Sequence, residues 1–221
     1  MTVLLALDCA AGACSVAVAE DGVPRANEEL RLSRGHGEAL VPMVERVLAA
    51  AGRAPESIGA VAATVGPGSF TGLRIGLAAA RGLALAVGAG TVAVTTLEAL
   101  AEAAAGDDGR PVLAALDSKR GDLYAQWFAG NGSALGGPAV MSPDQAMAAA
   151  PGPRFRIAGD VSEILVGAAR SAGLQAEIAD GCEVPDARVV ARLATARLAR
   201  GETGPLRPLY LRAPAVSAPS R

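Results

Sequence analysis

The chain is poor in the residues that carry out most covalent chemistry. Its 221 residues include one histidine (His36), one lysine (Lys119) and three cysteines (Cys9, Cys14, Cys182). A single imidazole cannot supply a pair of histidine ligands, and the thiols form no C-x-x-C motif, so no metal centre of its own is expected. A Ser–His–Asp or Cys–His arrangement would need His36 as its base, and no spacing brings that residue to a nucleophile. His36 is better explained as a residue opening a helix. An odd number of unpaired cysteines reads as small buried hydrophobes in a reducing cytosol. An excess of one charge is also missing. With 20 basic and 22 acidic residues the formal charge is −2, so no global field holds a polyanion, and nucleic-acid contact would need a local patch or a partner. The amino terminus has no basic stretch and meets Asp8 after a few apolar residues. This predicts neither a signal peptide nor a membrane span, and a cytoplasmic location.

What is present is an apolar chain, 51% hydrophobic, long enough for one large domain or two small ones with a core that needs no disulfide. Residues 3–7 form a short apolar run ending in Asp8, and a turn around Gly12 leads into an alternating run over 15–19. Asp21-Gly22 follows, a two-residue hairpin signal because both central positions take positive φ. A third extended segment reaches Leu32. Over 36–51, Leu40, Val41, Val44, Val47 and Leu48 fall at helical spacing, with Pro42 in the first turn or at a kink and Gly52 as the stop. A strand over 58–64, a long helix over 69–87, a short strand over 91–94 and a helix over 96–105 complete the order βββαβαβα.

The second half repeats that order. Residues 111–117 are an apolar run ending in Asp117, and a turn at Lys119, Arg120 and Gly121 leads into a strand over 122–128. Asn131-Gly132 predicts a second hairpin, and Ser142-Pro143-Asp144-Gln145 a capping box with proline at the first helical position. A strand over 154–158, a helix over 161–172, a weak strand over 176–178 and a closing helix capped by Asp186 and running to Arg200 follow. The proline-rich tail from Gly201 is expected to be extended, with its last residues frayed.

Two consecutive βββαβαβα units predict an α/β fold of duplicated ribonuclease-H-like subdomains, the actin–Hsp70–sugar-kinase arrangement. The boundary falls between Gly106 and Pro111, giving subdomains over 1–108 and 109–221. In such a fold the two leading hairpins face each other across a cleft, with Asp8 and Asp117 at equivalent positions.

The most informative segment is GPGSFTGLRIG at 66–76. Glycine inside a helix costs about 1 kcal/mol against alanine, so Gly72 and Gly76 call for compensation, such as close backbone approach by a neighbour. Gly66 and Gly68 complete this close-packing motif. A wheel at about 100° per residue sets Gly72, Gly76, Ala79 and Leu83 against Arg74, Leu77, Ala78, Arg81 and Leu85. The second face is either part of a buried core helix or a partner surface. A glycine-rich turn opening a helix can also cradle phosphate, although this spacing matches neither G-x-G-x-x-G nor Walker A.

GPGSFTGLRIG resembles the hallmark of the TsaB (YeaZ) family. LLALDCAAGACSVAV at 4–18 is similar to that family's opening strand–hairpin, and HGEALVPMVERVL at 36–48 to its H-x-x-x-L-x-P helix. DSKRGDLY at 117–124 resembles its D-A-R-x-G-E-V-Y hairpin, and PLYLR at 208–212 its closing P-x-Y-L-R. The resemblance implies an accessory subunit of the machinery that places threonylcarbamoyl on the adenosine beside the tRNA anticodon. Such a subunit pairs with a metal-binding catalytic paralogue, TsaD, works with an ATPase, TsaE, and self-associates as a homodimer. It meets tRNA only through the complex and no membrane. The paralogue's metal motif is H-x-x-x-H, and Thr96 and Leu100 stand at those two positions here.

On this reading the helices over 36–51 and 69–87 present Leu40, Met43, Val47, Leu73, Leu77 and the rim arginines Arg74 and Arg81 to the partner. Asp8, Gly12 and Asp117 are the positions left for a nucleotide. The family's hydroxyl-bearing run after the first aspartate is Cys9-Ala10-Ala11 here, so much of the phosphate chemistry is gone. ATP or ADP at the junction with the paralogue is the one cofactor expected. Two alternatives stand beside this reading: a stand-alone ATP-binding kinase or ATPase, and a scaffold for an unrelated partner. Arg188, Arg192, Arg197 and Arg200 on the closing helix are either a solvated rim or a tRNA contact.

Overall fold

The computed structural model describes residues 2–212, and the expected fraying of the chain end lies outside the described residues. Strands β1 (Val3–Asp8), β2 (Ala13–Glu20) and β3 (Val23–Arg31) form an antiparallel meander. Asp21 and Gly22 turn between β2 and β3 with φ of 47° and 86°, the positive pair that a two-residue turn matched to strand twist requires. Helix α1 (His36–Ala50) leads to β4 (Ile58–Thr64), α2 (Phe70–Val87), β5 (Gly90–Val94) and α3 (Thr96–Ala104). The first sheet has the order β3-β2-β1-β4-β5, with β1, β4 and β5 parallel.

The second half supplies β6 (Val112–Asp117), β7 (Leu123–Phe128), β8 (Ala139–Met141), α4 (Pro143–Ala148), β9 (Arg154–Ala158), α5 (Ser162–Ser171), β10 (Gln175–Ile178) and α6 (Ala187–Ala199). Its sheet order is β10-β9-β6-β7-β8, with the same mixture of antiparallel and parallel pairs. The hairpin expected at Asn131-Gly132 is a longer excursion. Residues 129–138 loop out, touching β7 through a Phe128–Ala134 bridge, before β8 pairs with Leu123–Ala125.

Alternation along β1 and β2 divides the first core in two. Leu5, Leu7, Val16 and Val18 meet α1 and α2 on one face, where Leu40, Met43, Val44, Val47, Leu48 and Leu77 are buried. Leu4, Ala6, Ala17 and Ala19 point to the other face, and what covers them is α6, through Ala187, Val190, Ala191 and Ala194. Alanine on both sides lets the α6 backbone approach the sheet closely. The Ser15 hydroxyl accepts the Ala187 N–H at 2.9 Å, which fixes the start of α6 to β2.

The subdomain limits at 1–108 and 109–221 are therefore corrected. The two halves exchange their closing helices: α6 covers the first sheet, and α3 (Leu97, Leu100, Ala101, Ala104) packs with Val112, Ala114 and Leu116 of the second. The tail returns to the first half as well. Gly204 and Thr91 exchange hydrogen bonds, Leu206 is buried, and the Leu209 N–H donates to the Val65 carbonyl at 2.7 Å. Each unit has a sheet with two apolar faces and only one face's worth of its own helices, so each borrows a cover from the other.

Candidate functional site

A cleft of about 650 Å³ opens between the two leading hairpins. Ala10, Ala11 and Gly12 of the first hairpin, Asp117 to Arg120 of the second and the start of α2 line it. Segment 208–212 crosses its mouth. Tyr210 packs on Phe70 with ring centroids 5.3 Å apart, and the Arg212 guanidinium reaches the Asp122 carboxylate next to the second hairpin turn. The Arg74 guanidinium lies 3.7 Å over the Phe70 ring and donates to the Tyr210 hydroxyl at 3.4 Å.

Local packing explains the glycines beneath this cleft. A Cβ on Gly68 would stand 2.2 Å from the Ala10 carbonyl oxygen, and one on Gly72 would stand 2.0 Å from that of Cys9. Gly66 has φ of 112° with the Leu209 carbonyl against it, and Gly76 rests on Cys9. The Ser69 N–H donates to the Ala10 carbonyl at 2.7 Å and the Ser69 side chain caps α2 through the Gly72 N–H. These contacts seat the start of α2 directly on the first hairpin turn, with no room for a side chain between them.

Of the three positions left for a nucleotide, Gly12 and Asp117 face the cleft and Asp8 does not. Asp8 is fully buried. Its Oδ1 accepts the Thr64 hydroxyl at 2.5 Å and the Ala10 N–H at 3.2 Å, and its Oδ2 has no partner among the described residues. Burial pushes its carboxyl up to about 7 from an ordinary 3.8, against the smaller opposing effect of the Thr64 bond. The assignment of Asp8 to a ligand is corrected for that reason: the carboxylate is fully buried outside the cleft, and Cys9 and Ala10 after it are buried as well.

Asp117 is in the cleft and already engaged. Lys119 Nζ lies 2.9 Å from its Oδ2 and holds its carboxyl below the usual range, while its backbone N–H donates to Asp160 Oδ1 at 2.8 Å. Asp160, in the loop between β9 and α5, has its carboxyl raised by burial. Lys119 thus bridges two carboxylates, at 2.9 and 3.9 Å, and only Arg120 of that hairpin brings a cation without a described ion pair. His36 turns its Nε2 onto the Ala11 carbonyl at 3.3 Å, as a residue at a helix start does.

The partner-face assignment needs the larger correction. Leu40, Met43, Val47, Leu73 and Leu77 are all buried in the protein's own core. They form the inward stripe of α1 and α2, and a stripe that fills a core cannot also meet a second protein. Arg74 and Arg81 do lie on the surface, each engaged by its own chain: Arg74 as above, and Arg81 on the Leu206 carbonyl. What the two helices leave outward is Val41, 50% exposed, and a stripe of α2 containing Ala78, Gly82 and Leu85, the last 85% exposed. The wheel had Ala78 and Leu85 on the outer side correctly. It missed Leu77, which lies at the edge of that face and turns inward. Val41 was missed because it sits within the apolar pattern of α1 and spacing alone does not separate it from Leu40.

The closing-helix arginines are ion-paired: Arg188 with Asp186, Arg192 with Glu102, Arg197 with Glu98 and Arg200 with Glu202. Thr96 and Leu100 point into the interior.

Residues 30–176 match the family model described as TsaD, tRNA N6-adenosine threonylcarbamoyltransferase. The solved YeaZ from Pseudomonas aeruginosa is 31% identical, with a TM-score of 0.81 over 96% of this chain and 100% of that one. The chain belongs to the TsaB (YeaZ) family. The Escherichia coli tRNA threonylcarbamoyladenosine biosynthesis protein TsaB is 43% identical over 122 residues, 55% of this chain, so the chain spans about half the length (52%) of that curated relative. A Mycobacterium tuberculosis protein is 34% identical over 82% of this chain and 77% of its own. The family's wider fold is seen in component A of the Acidaminococcus fermentans (R)-2-hydroxyglutaryl-CoA dehydratase, 11% identical with a TM-score of 0.58, which speaks for the fold alone.

Proposed function

We propose that this chain is a non-catalytic cytoplasmic subunit required for threonylcarbamoylation of the adenosine beside the tRNA anticodon. It pairs with a TsaD-like catalytic paralogue, works with a TsaE-like ATPase, and pairs with itself when the paralogue is absent. The observation that carries the reading is the outward face of α1 and α2 in a chain of this family, with Leu85 85% exposed on the α2 stripe of Ala78 and Gly82 and Val41 50% exposed on α1. Exposed apolar residues gathered on two adjacent helices are what an obligate or exchanging interface needs. A C2 pair would bring four helices together, and the paralogue would use the same face in a pseudo-symmetric way.

The chemistry of the chain supports an accessory role. Thr96 and Leu100, at the positions of the paralogue's two histidines, are buried, and the hydroxyl run of the first hairpin is Cys9-Ala10-Ala11. ATP or ADP is bound at the junction with the paralogous subunit, where Gly12 and Asp117 line the cleft.

Two experiments test this. Depletion of the protein in its host, with threonylcarbamoyl-adenosine in bulk tRNA quantified by mass spectrometry, is expected to remove the nucleoside; unchanged levels under verified depletion would refute the pathway assignment. Leu85→Glu is expected to weaken pairing at least about tenfold, from the loss of roughly 1.5–3 kcal/mol of buried leucine and the burial of a charge. Its circular dichroism should match the wild type, because the side chain touches solvent in the monomer and the fold does not depend on it. Leu77→Glu should instead unfold the protein. Wild-type pairing by Leu85→Glu in light scattering would move the interface elsewhere.

A further inference from the structure

The first hairpin holds two thiols that neither the cleft nor the outward face uses. Cys9 follows β1 and Cys14 lies in β2, one position beyond the Asp8–Ser15 pair, so their side chains meet across the turn with sulfurs 3.3 Å apart. A disulfide needs about 2.05 Å, which an approach of roughly an ångström would achieve. The pair is also polarised. The two thiols share a hydrogen bond in which either sulfur can donate, and that contact raises the Cys9 thiol, together with burial, and lowers that of Cys14. The lower-lying thiol is the one that reaches the thiolate and attacks.

Both thiols are buried, the turn of residues 10–12 that joins their strands lines the cleft, and Gly12 is exposed with nothing packed on it. A local opening of that short turn admits a molecule the size of hydrogen peroxide. Cys182, the third cysteine, belongs to the core between α3 and β6 and has no thiol neighbour among the described residues.

We infer that Cys9 and Cys14 are a peroxide-sensitive dithiol whose oxidation to a disulfide loosens the seat of α2 on the first hairpin. The Cys14 thiolate attacks the peroxide O–O bond, forming a sulfenic acid and releasing hydroxide, which takes up a proton to give water. The Cys9 sulfur then attacks the Cys14 sulfur, the S–S bond forms, and the sulfenic oxygen leaves as a second water with the Cys9 proton. Two electrons pass from the two thiols to one peroxide. A dithiol reductant reverses the reaction.

The two thiols anchor the two helices of the outward face. A Cβ on Gly76 would be 3.4 Å from Cys9 Cβ and 3.8 Å from its sulfur, and the Cys9 carbonyl presses on Gly72. Cys14 Sγ lies 3.8 Å from the carbonyl of His36, the first residue of α1. Drawing the sulfurs together takes Cys9 off α2 and Cys14 off the start of α1. Any effect on pairing rests on the subunit reading above, so the test uses readouts that need no partner.

The full chain is treated with excess hydrogen peroxide, quenched, and alkylated under denaturing conditions. The expected product is lighter by two hydrogens, with alkylation falling from three thiols to one, that one being Cys182. Amides of residues 70–77 should exchange with solvent about tenfold faster in the oxidised protein, and dithiothreitol should restore both. Cys9→Ala and Cys14→Ala should each abolish the crosslink, and Cys182→Ser should keep it. Retention of three alkylatable thiols would overturn the inference, as would overoxidation of one cysteine without a crosslink. A crosslink that leaves exchange over 70–77 unchanged would equally overturn it. Each of these outcomes is independent of whether the chain pairs with a paralogue.

Discussion

Asp8 is the residue whose environment departs furthest from its solution behaviour. Its folded carboxyl titrates near 7 and an ordinary aspartate near 3.8, so between those values the folded state holds a proton that the unfolded state has released. The sign follows from linkage: this contribution is fully present below the lower value, drains as pH rises through the interval, and is gone above the upper one. Asp8→Asn keeps the shape, accepts the Thr64 hydroxyl and carries no charge. It should gain on the wild type by about 4 kcal/mol as pH rises from about 4 to 8, read from urea unfolding at each pH. A pH-independent difference between the two proteins would contradict the buried-acid reading. The position of Asp8 at the end of the first strand was legible in the sequence, while its burial was not. Its surroundings depend on Thr64 reaching the carboxylate from β4, a contact between residues far apart in the chain.

At the scale of elements, two of the three glycines of α2 carry opposite expectations. Gly72→Ala places a methyl 2.0 Å from the Cys9 carbonyl oxygen, where backbone has to move, and is expected to cost about 3 kcal/mol or more. Gly82 is exposed with open space around it, and Gly82→Ala should stabilise by about 0.5–1 kcal/mol through helix propensity alone. Denaturant midpoints of the two variants should move in opposite directions from the wild type. That glycine inside a helix calls for close backbone approach could be read from the cost of glycine. Which backbone approaches could not, because Ala10 and Cys9 reach Gly68 and Gly72 only once β1 and β4 pair. The same limit explains the misplaced partner face. Periodicity finds an apolar stripe, and α1 and α2 both carry apolar residues beyond what the sheet covers. Only the packed sheet distinguishes Leu40, Met43, Val47, Leu73 and Leu77, which fill the core, from Val41 and Leu85, which are left over.

The whole molecule is two sheets that exchange their closing helices, and this predicts how it can be cut. A fragment over 1–108 retains every strand of the first sheet and loses α6, leaving Leu4, Ala6, Ala17, Ala19, Ala60 and Ala62 uncovered. Expressed alone, it should show collapsed amide-proton dispersion in NMR, and a folded fragment would mean that α6 is dispensable. The element order, the two duplicated units, the caps at Ser69, Ser142 and Asp186 and the Asp21-Gly22 turn were determined by the sequence itself. Each depends on residues within one turn or one strand of each other, where propensity and hydrogen bonding act locally. Four things were decided by tertiary structure alone: the exchange of α3 and α6, the burial of Asp8, the strap of residues 208–212 across the cleft, and which apolar side chains remain outside. All four are competitions between distant segments for the same apolar surface, and such competitions are settled by the geometry of the packed sheets.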